Sequence, residues 1–355
     1  MRMLHIIESL APGGMETTFL NVLRHFRDAD GSIGHDVLAF AGGALEDGYR
    51  QAADSVTIGC DPETIGSSLA GQYDLAYILF ERCAYRLLPE LVARTAMPVV
   101  YGKGYDMGGM YRLNEGLRWQ ADESMLAACD GVTFTTANLA GGFDLPVGRT
   151  TILGKAADVA RFHSIPAPPP PSTPQRIVCV ANLHPRKRLG DLIHALVRVR
   201  KDVPHAELHL VGGGNDAEGA RLRQLAQTLG VAQAVTLTGV LSDVAPELED
   251  ARIVALPSSC EGVPTALLEG MAAGRPVVAT AVGHVSSIVD QGKEGILVPA
   301  GDVDSLGDAI TELLANPALA AKMGQAARAR SAEHDVRVVA RRLLRALRAS
   351  TAHAA

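Results

Sequence analysis

Short runs that are almost wholly apolar alternate along the chain with longer amphipathic ones. In the first half "MLHIIES", "DVLAF", "DLAYILF" and "PVVYG" read as β-strands, and in the second "RIVCVAN", "ELHLVGGG", "AVTLTGV", "ARIVALP" and "RPVVATA" do. Each is short, rich in aliphatic or β-branched residues and bounded by turn formers. Between them "METTFLNVLRHF", "LGDLIHALVRVRKD" and "EGARLRQLAQTLG" repeat apolar positions at helical spacing. Strands apolar on both faces that alternate with helices imply parallel sheets covered by helices. The alternation occurs twice, so the expected fold class is α/β: two Rossmann-like, doubly wound parallel-sheet domains facing a cleft, with ligands at the carboxyl ends of the strands.

The proline-rich stretch "SIPAPPPPSTPQ", residues 164–175, separates the two series as a semi-rigid spacer. This gives a first domain over 1–165, a second over 176–335, and a basic helix and tail over 336–355. In that last piece Val336, Val339, Leu343 and Leu347 share one face, and Arg337, Arg341, Arg345 and Arg348 another. A packed helix with a solvated basic side is the plain reading; docking on an anionic lipid surface is the alternative.

Composition narrows the function classes. A chain of 355 residues with 47% hydrophobic and 4% aromatic residues can fill a large aliphatic core but offers few stacking platforms for bases. Up to Pro170 there are 13 basic against 20 acidic residues, and beyond it 20 against 19, which argues against nucleic acid as a partner. The five cysteines form no C-x-x-C pair and read as reduced thiols of a cytoplasmic protein. No apolar run reaches the roughly 18 residues of a membrane span, and the N-terminal run is too short for a signal peptide. Any membrane contact is therefore expected from the surface, at the inner face.

Three strand-to-helix junctions carry candidate chemistry. In "ESLAPGGMETT", Gly13 and Gly14 let backbone N–H groups approach an anion at a helix start near Glu16. The loop matches neither the dinucleotide fingerprint nor the phosphate loop of nucleoside triphosphatases. In "CVANLHPRKRLGDLIHAL", Arg186, Lys187 and Arg188 crowd the start of a helix, where cations oppose the macrodipole unless they face solvent or an anion. In "CEGVPTALLEGMAAGRPVVAT", a helix is expected to start at Pro264, with N–H groups of Val263, Thr265 and Ala266 pointing outward. Glu261 before that helix and Glu269 on its second turn can bracket one ligand. A phosphate between two polyols, that is a nucleoside diphosphate sugar, satisfies the whole set.

These residues resemble a known family, the retaining GT-B glycosyltransferases of family 4 (glycosyl transferases group 1), whose signature is E-x7-E. "EGVPTALLEGMAAGRPVVAT" followed by "AVGHVSSIVDQGKEGILVPAGD" matches without a gap, and similarity extends over nearly all of 176–330. The resemblance implies that Glu261 holds hydroxyls of the donor sugar and Glu269 those of the ribose. It further implies that Lys187 contacts the diphosphate together with Gly262, Val263, Pro264, Thr265 and Ala266, that Gly14 approaches the diphosphate, and that main chain at Val240 and Leu241 reads the base. Lys187 and Glu261 are the residues placed nearest the chemistry. The implied reaction retains anomeric configuration by front-face attack and requires no cofactor, metal or covalent nucleophile.

The chain departs from the family pattern in several places. No histidine stands in "PVVYGKGYDM", where Lys103, Tyr105 and Asp106 are taken as acceptor contacts. Asn182 replaces a customary arginine, with Arg186 as the substitute cation. Lys155 to Asp158 replace Asn-Gly-Val-Asp, and His284 and Ser287 replace a glycine and a glutamate. Two D-x-D pairs occur, Asp28 to Asp30 and Asp302 to Asp304, where roughly one is expected by chance, and no metal role is inferred from them. A nucleotide-sugar epimerase and a non-catalytic nucleotide-sugar-binding module remain the alternatives to a glycosyltransferase acting on an unknown hydroxyl acceptor. Neither the sugar, the base nor the oligomeric state is legible.

Overall fold

A computed structural model describes residues 1–11, 14–29, 31–59, 69, 71–79, 91, 97–103, 126–145, 148–166, 168 and 174–353. The chain forms two compact units, Met1–Ala156 together with Val336–Ala355, and Ala157–Asp335.

In the first unit the strands are β1 (Arg2–Ser9), β2 (Gly34–Ala41), β3 (Ser55–Ile58), β4 (Leu75–Leu79), β5 (Val99–Lys103), β6 (Gly131–Phe134) and β7 (Thr150–Ile152). They pair in parallel in the order β3-β2-β1-β4-β5-β6-β7. Strand order reverses between β1 and β4, and the helix Gly14–Ala29 is the next element after β1 at that point. The helix Gly14–Ala29 and the terminal helix Val336–His353 pack against each other. Val336, Val339, Leu343 and Leu347 are buried with Ile7, Phe19, Leu23 and Phe26 in one apolar cluster, while Arg337, Arg341, Arg345 and Arg348 are exposed. The terminal helix is thus a part of the first unit rather than a separate tail.

In the second unit β8 (Gln175–Val180), β9 (Ala206–Val211), β10 (Val235–Gly239), β11 (Ala251–Leu256), β12 (Val277–Thr280) and β13 (Gly295–Val298) pair in parallel in the order β10-β9-β8-β11-β12-β13. Here the order reverses between β8 and β11. The core is largely aliphatic, as the near-continuous apolar strands require.

Four strands lie outside those expected from the sequence: β3, β6, β7 and β13. They are three or four residues long, and β3 and β7 have half-exposed or exposed positions that blur the apolar signal. The unit boundary also differs from the expected one. Residues 157–166 pack with the second unit, where Arg328 donates to the Ile165 carbonyl at 2.7 Å and the fully buried Arg275 to the Pro166 carbonyl at 3.0 Å. Proline content marks where the backbone is stiff, whereas Val159, Phe162 and Ile165, buried in the core of the second unit, and these two guanidinium bonds place the segment in that unit.

Candidate functional site

The second and third junctions of the sequence meet at the reversal point of the second sheet. After β8 the chain makes a 3₁₀ turn over Pro185–Lys187, whose Arg186 N–H donates to His184 Nδ1 at 3.2 Å. Arg188 then takes a left-handed conformation (φ 49°) and opens the helix Leu189–Asp202, its guanidinium donating to Asp191 at 2.7 Å. After β11, Ser259 donates to the Arg186 carbonyl from its N–H at 2.8 Å and from its hydroxyl at 3.1 Å. These bonds fasten the two loops together and bring Lys187 to Glu261.

Lys187 Nζ donates to Glu261 Oε1 at 2.5 Å, and the hydroxyl of the fully buried Ser258 donates to the same oxygen at 2.5 Å. The side chains of Lys187 and Glu261 are 13% and 7% exposed. Among the described residues, Glu261 Oε2 has no hydrogen-bond partner and Lys187 Nζ none besides Glu261. Ser258 is itself positioned by Thr280, whose hydroxyl donates to its carbonyl at 2.6 Å. Gly283 (φ 54°) lies directly under the Glu261 carbonyl, so that any Cβ there would collide with it. Gly283→Ala is therefore expected to displace Glu261 and weaken nucleotide-sugar binding at least tenfold, checked by calorimetric titration on a protein with unchanged far-ultraviolet dichroism.

The helix after this loop is Thr265–Ala272. Pro264 is its N-cap rather than its first helical residue, and no side chain caps that end. The N–H groups of Thr265 and Ala266 thus have no intrahelical acceptor, and they sit at the positive end of the helix dipole. Gly262, Thr265 and Ala266 are partly exposed, while Val263 and Pro264 are buried. Glu269, one turn on, is partly buried and has no hydrogen-bond or ion-pair partner among the described residues. Burial pushes its carboxyl up to about 7, with Arg161 opposing the shift and Asp158 adding to it.

Beyond β9, Gly212 and Gly214 have φ of 146° and 127°, and a Cβ on Gly212 would collide with the Ala181 carbonyl. That close approach shapes the loop beside Asn182, which is exposed. Val240 stands next to Gly213 after β10 and is 80% exposed, an apolar face presented to solvent, with Leu241 half-buried beside it. Arg186 is exposed and without an ion-pair partner among the described residues. Hence Asn182, Arg186, Lys187, Val240, Leu241 and residues 261–264 lie in the connections at the carboxyl ends of β8, β10 and β11, and Thr265, Ala266 and Glu269 lie on the helix that follows the last of them.

The first unit supplies less. Gly14 is the first residue of its helix and Lys103 the last of β5; Gly13, Tyr105 and Asp106, with the rest of the aromatic stretch up to Trp119, lie outside the described residues. Lys155 is a residue whose role spacing did not suggest. It is 5% exposed, follows Gly154 (φ 84°), and burial lowers its ammonium to about 8 while the Glu16 carboxylate works the other way. The two D-x-D pairs differ in what is described. Asp302 caps the helix Val303–Ala315, Asp304 faces Arg198 at 3.5 Å, and Asp30 lies outside the described residues. Among the described residues no three His, Cys, Asp or Glu side chains gather as a metal site, and no helix is long and apolar enough to cross a membrane.

Two parallel-sheet α/β units, with an ion pair and an uncapped helix at the reversal point of the second, are the arrangement with which the comparisons with known proteins agree. The family model for group 1 glycosyl transferases matches residues 174–316. A GDP-mannose-dependent alpha-(1-6)-phosphatidylinositol monomannoside mannosyltransferase of Mycolicibacterium smegmatis is 31% identical over 317 residues, 80% of this chain and 80% of that protein. Among solved structures, Anabaena HepE in complex with UDP has a TM-score of 0.85 at 19% identity, over 98% of this chain and 100% of that one. Sucrose-phosphate synthase from Thermosynechococcus elongatus has a TM-score of 0.78 at 18% identity, over 98% of each. The chain belongs to the group 1 glycosyltransferases.

Proposed function

We propose that this glycosyltransferase is a retaining, metal-independent enzyme that moves a hexose from a nucleoside diphosphate sugar to a hydroxyl of a lipid or glycan acceptor. The observation that carries the reading is the Lys187–Glu261 pair beside the open N-terminus of the helix Thr265–Ala272. In this reading Glu269 accepts from the ribose hydroxyls and Val240 with Leu241 borders the base. Glu261 Oε2 accepts from a hydroxyl of the sugar. Lys187 and the N–H groups of Thr265 and Ala266 hold the diphosphate. As the bond from C1 to the diphosphate oxygen breaks, charge develops on that oxygen, where a fixed ammonium and helix dipole stabilise it. The acceptor oxygen bonds to C1 from the same face and its proton passes to the departing diphosphate, so neither a covalent nucleophile nor a pair of carboxylates flanking C1 is needed.

The acceptor is assigned to the first unit, with Lys103, Tyr105 and Asp106 as its contacts. GDP-mannose and a membrane-lipid acceptor come first among candidates because the Mycolicibacterium relative bears both in its name; a uridine nucleotide comes second, after HepE. The exposed arginine stripe of the terminal helix, with no acidic residue in 336–353, suits an anionic lipid surface.

The reading is tested by incubating the protein with GDP-mannose or UDP-glucose, membrane lipid extract and EDTA. An α-linked product from the α-linked donor, identified by its anomeric proton resonance, is expected. A β-linked product, or transfer abolished by EDTA and restored by a divalent ion, would refute it.

A further inference from the structure

The carboxylate of Glu269 is not isolated from the loop that follows β10. The short helix Val159–His163 packs on the helix Thr265–Ala272, and Asp158 caps it by accepting from the Arg161 N–H at 3.4 Å. From this helix the Arg161 guanidinium reaches Asp243 Oδ1 at 2.5 Å. The same oxygen accepts the Ala245 N–H at 2.8 Å, so Asp243 is fixed at the start of the helix Ala245–Asp250. Asp243 stands two residues after Leu241. Both members of the ion pair are 47% exposed, and an ion pair so exposed adds little to stability. Its neighbourhood is more informative. Arg161 is the attractive charge acting on Glu269 and Asp158 the repulsive one, both from the element packed across the Glu269 helix.

We propose that Arg161, anchored by Asp243, is a positioning residue of the nucleotide site: it fastens the loop of Val240 and Leu241 to the helix of Glu269 and keeps a positive charge beside that carboxylate, so that it accepts from the ribose. This rests on the reading of Glu269 as the ribose ligand. The ion pair joins the segment that follows β10 to the short helix that packs on the helix of Glu269.

The test is calorimetric titration of GDP, and of UDP if GDP gives no heat, into wild type, Arg161→Gln and Arg161→Lys at pH 6, 7 and 8.5, taken as the ratio of variant to wild-type Kd so that titration of the ligand cancels. If loss of the charge raises the Glu269 carboxyl by about one pH unit and only the ionised form binds, Arg161→Gln weakens binding about ninefold at pH 6, about fivefold at pH 7 and under about 1.5-fold at pH 8.5. Arg161→Lys keeps the charge and stays within about twofold at every pH. A loss in Arg161→Gln that is the same at all three pH values means a merely structural role and overturns the proposal, as does no loss. If neither nucleotide binds wild type, the donor-site reading itself fails and the proposal with it. Should Arg161→Gln melt far below wild type, Asp243→Asn replaces it. That variant leaves Arg161 untethered and is expected to show the same pH-dependent trend at smaller size; a flat profile would again overturn the proposal.

Discussion

Lys187→Ala is expected to lower donor turnover by about 10² to 10³-fold, the usual consequence of removing one preorganised donor from a developing oxyanion. Two features make the expectation strong. The ammonium is held on a 3₁₀ turn whose carbonyl is fastened by Ser259, so that water cannot easily take the same place with the same orientation. The site is also nearly dry, since Lys187 and Glu261 are 13% and 7% exposed, and the charge acts through a low-dielectric surrounding. The variant carries a second cost. Glu261 would be left buried with only the Ser258 hydroxyl as partner, and breaking a buried pair from one side costs about 3–5 kcal/mol. The measurement is initial rate of nucleotide release at a temperature well below the variant's melting point. Turnover within tenfold of wild type would show that Lys187 does not face the leaving group.

Glu269→Gln is expected to act on stability and on binding in opposite directions. The carboxyl titrates at about 7 in the folded chain against a usual 4.5, because burial disfavours its charged form. Between those two values the folded state holds more protons than the unfolded one, so stability falls as pH rises from about 4.5 to 7 and levels off above. At 1.36 kcal/mol for each pH unit, the ionised carboxylate costs the fold up to about 3 kcal/mol at pH 8. Glutamine removes that cost. The variant should melt several degrees higher than wild type at pH 8 and at nearly the same temperature at pH 4.5. Nucleotide affinity should fall by about tenfold or more, since an amide offers one acceptor oxygen where the carboxylate offers two. An equal change in melting temperature at both pH values would mean that Glu269 is not the group held at cost. A buried carboxyl whose charged form is held at a cost, with no hydrogen-bond or ion-pair partner among the described residues, is a candidate ligand-binding group.

The parts of this site that lie close together in sequence were legible there. Glu261 and Glu269 stand on either side of one helix start, Glu261 in the loop before it and Glu269 four residues after Thr265, and that spacing is local enough to be read from the sequence. Lys187 and its loop were legible as a charge run that ought to face an anion. The sequence could not show that the anion is, in the ligand-free chain, Glu261 itself. That contact spans 74 residues and depends on Ser259 tying two loops across the sheet reversal. Arg161 and Asp243 were invisible for the same reason, being 82 positions apart by their own numbers, and each unremarkable in its own local sequence. The fold class followed from apolar strands, which are strong signals when both faces are buried. Strands β3, β6, β7 and β13 were missed because a three- or four-residue strand carries too little pattern to separate from a loop. Lys155 was visible as a departure from a motif, yet nothing local says that a lysine there is buried.

The most direct test of the central claim is a thermal melt of wild type and Glu269→Ala against GDP and UDP in EDTA, from micromolar to millimolar concentration. A ligand at about a hundred times its Kd stabilises the folded state by about 2.7 kcal/mol, which is a shift of several degrees. The account predicts that one of the two nucleotides raises the wild-type melting temperature in a saturable way and that Glu269→Ala abolishes the rise. No rise with either nucleotide at millimolar concentration, or an equal rise in both proteins, would contradict it.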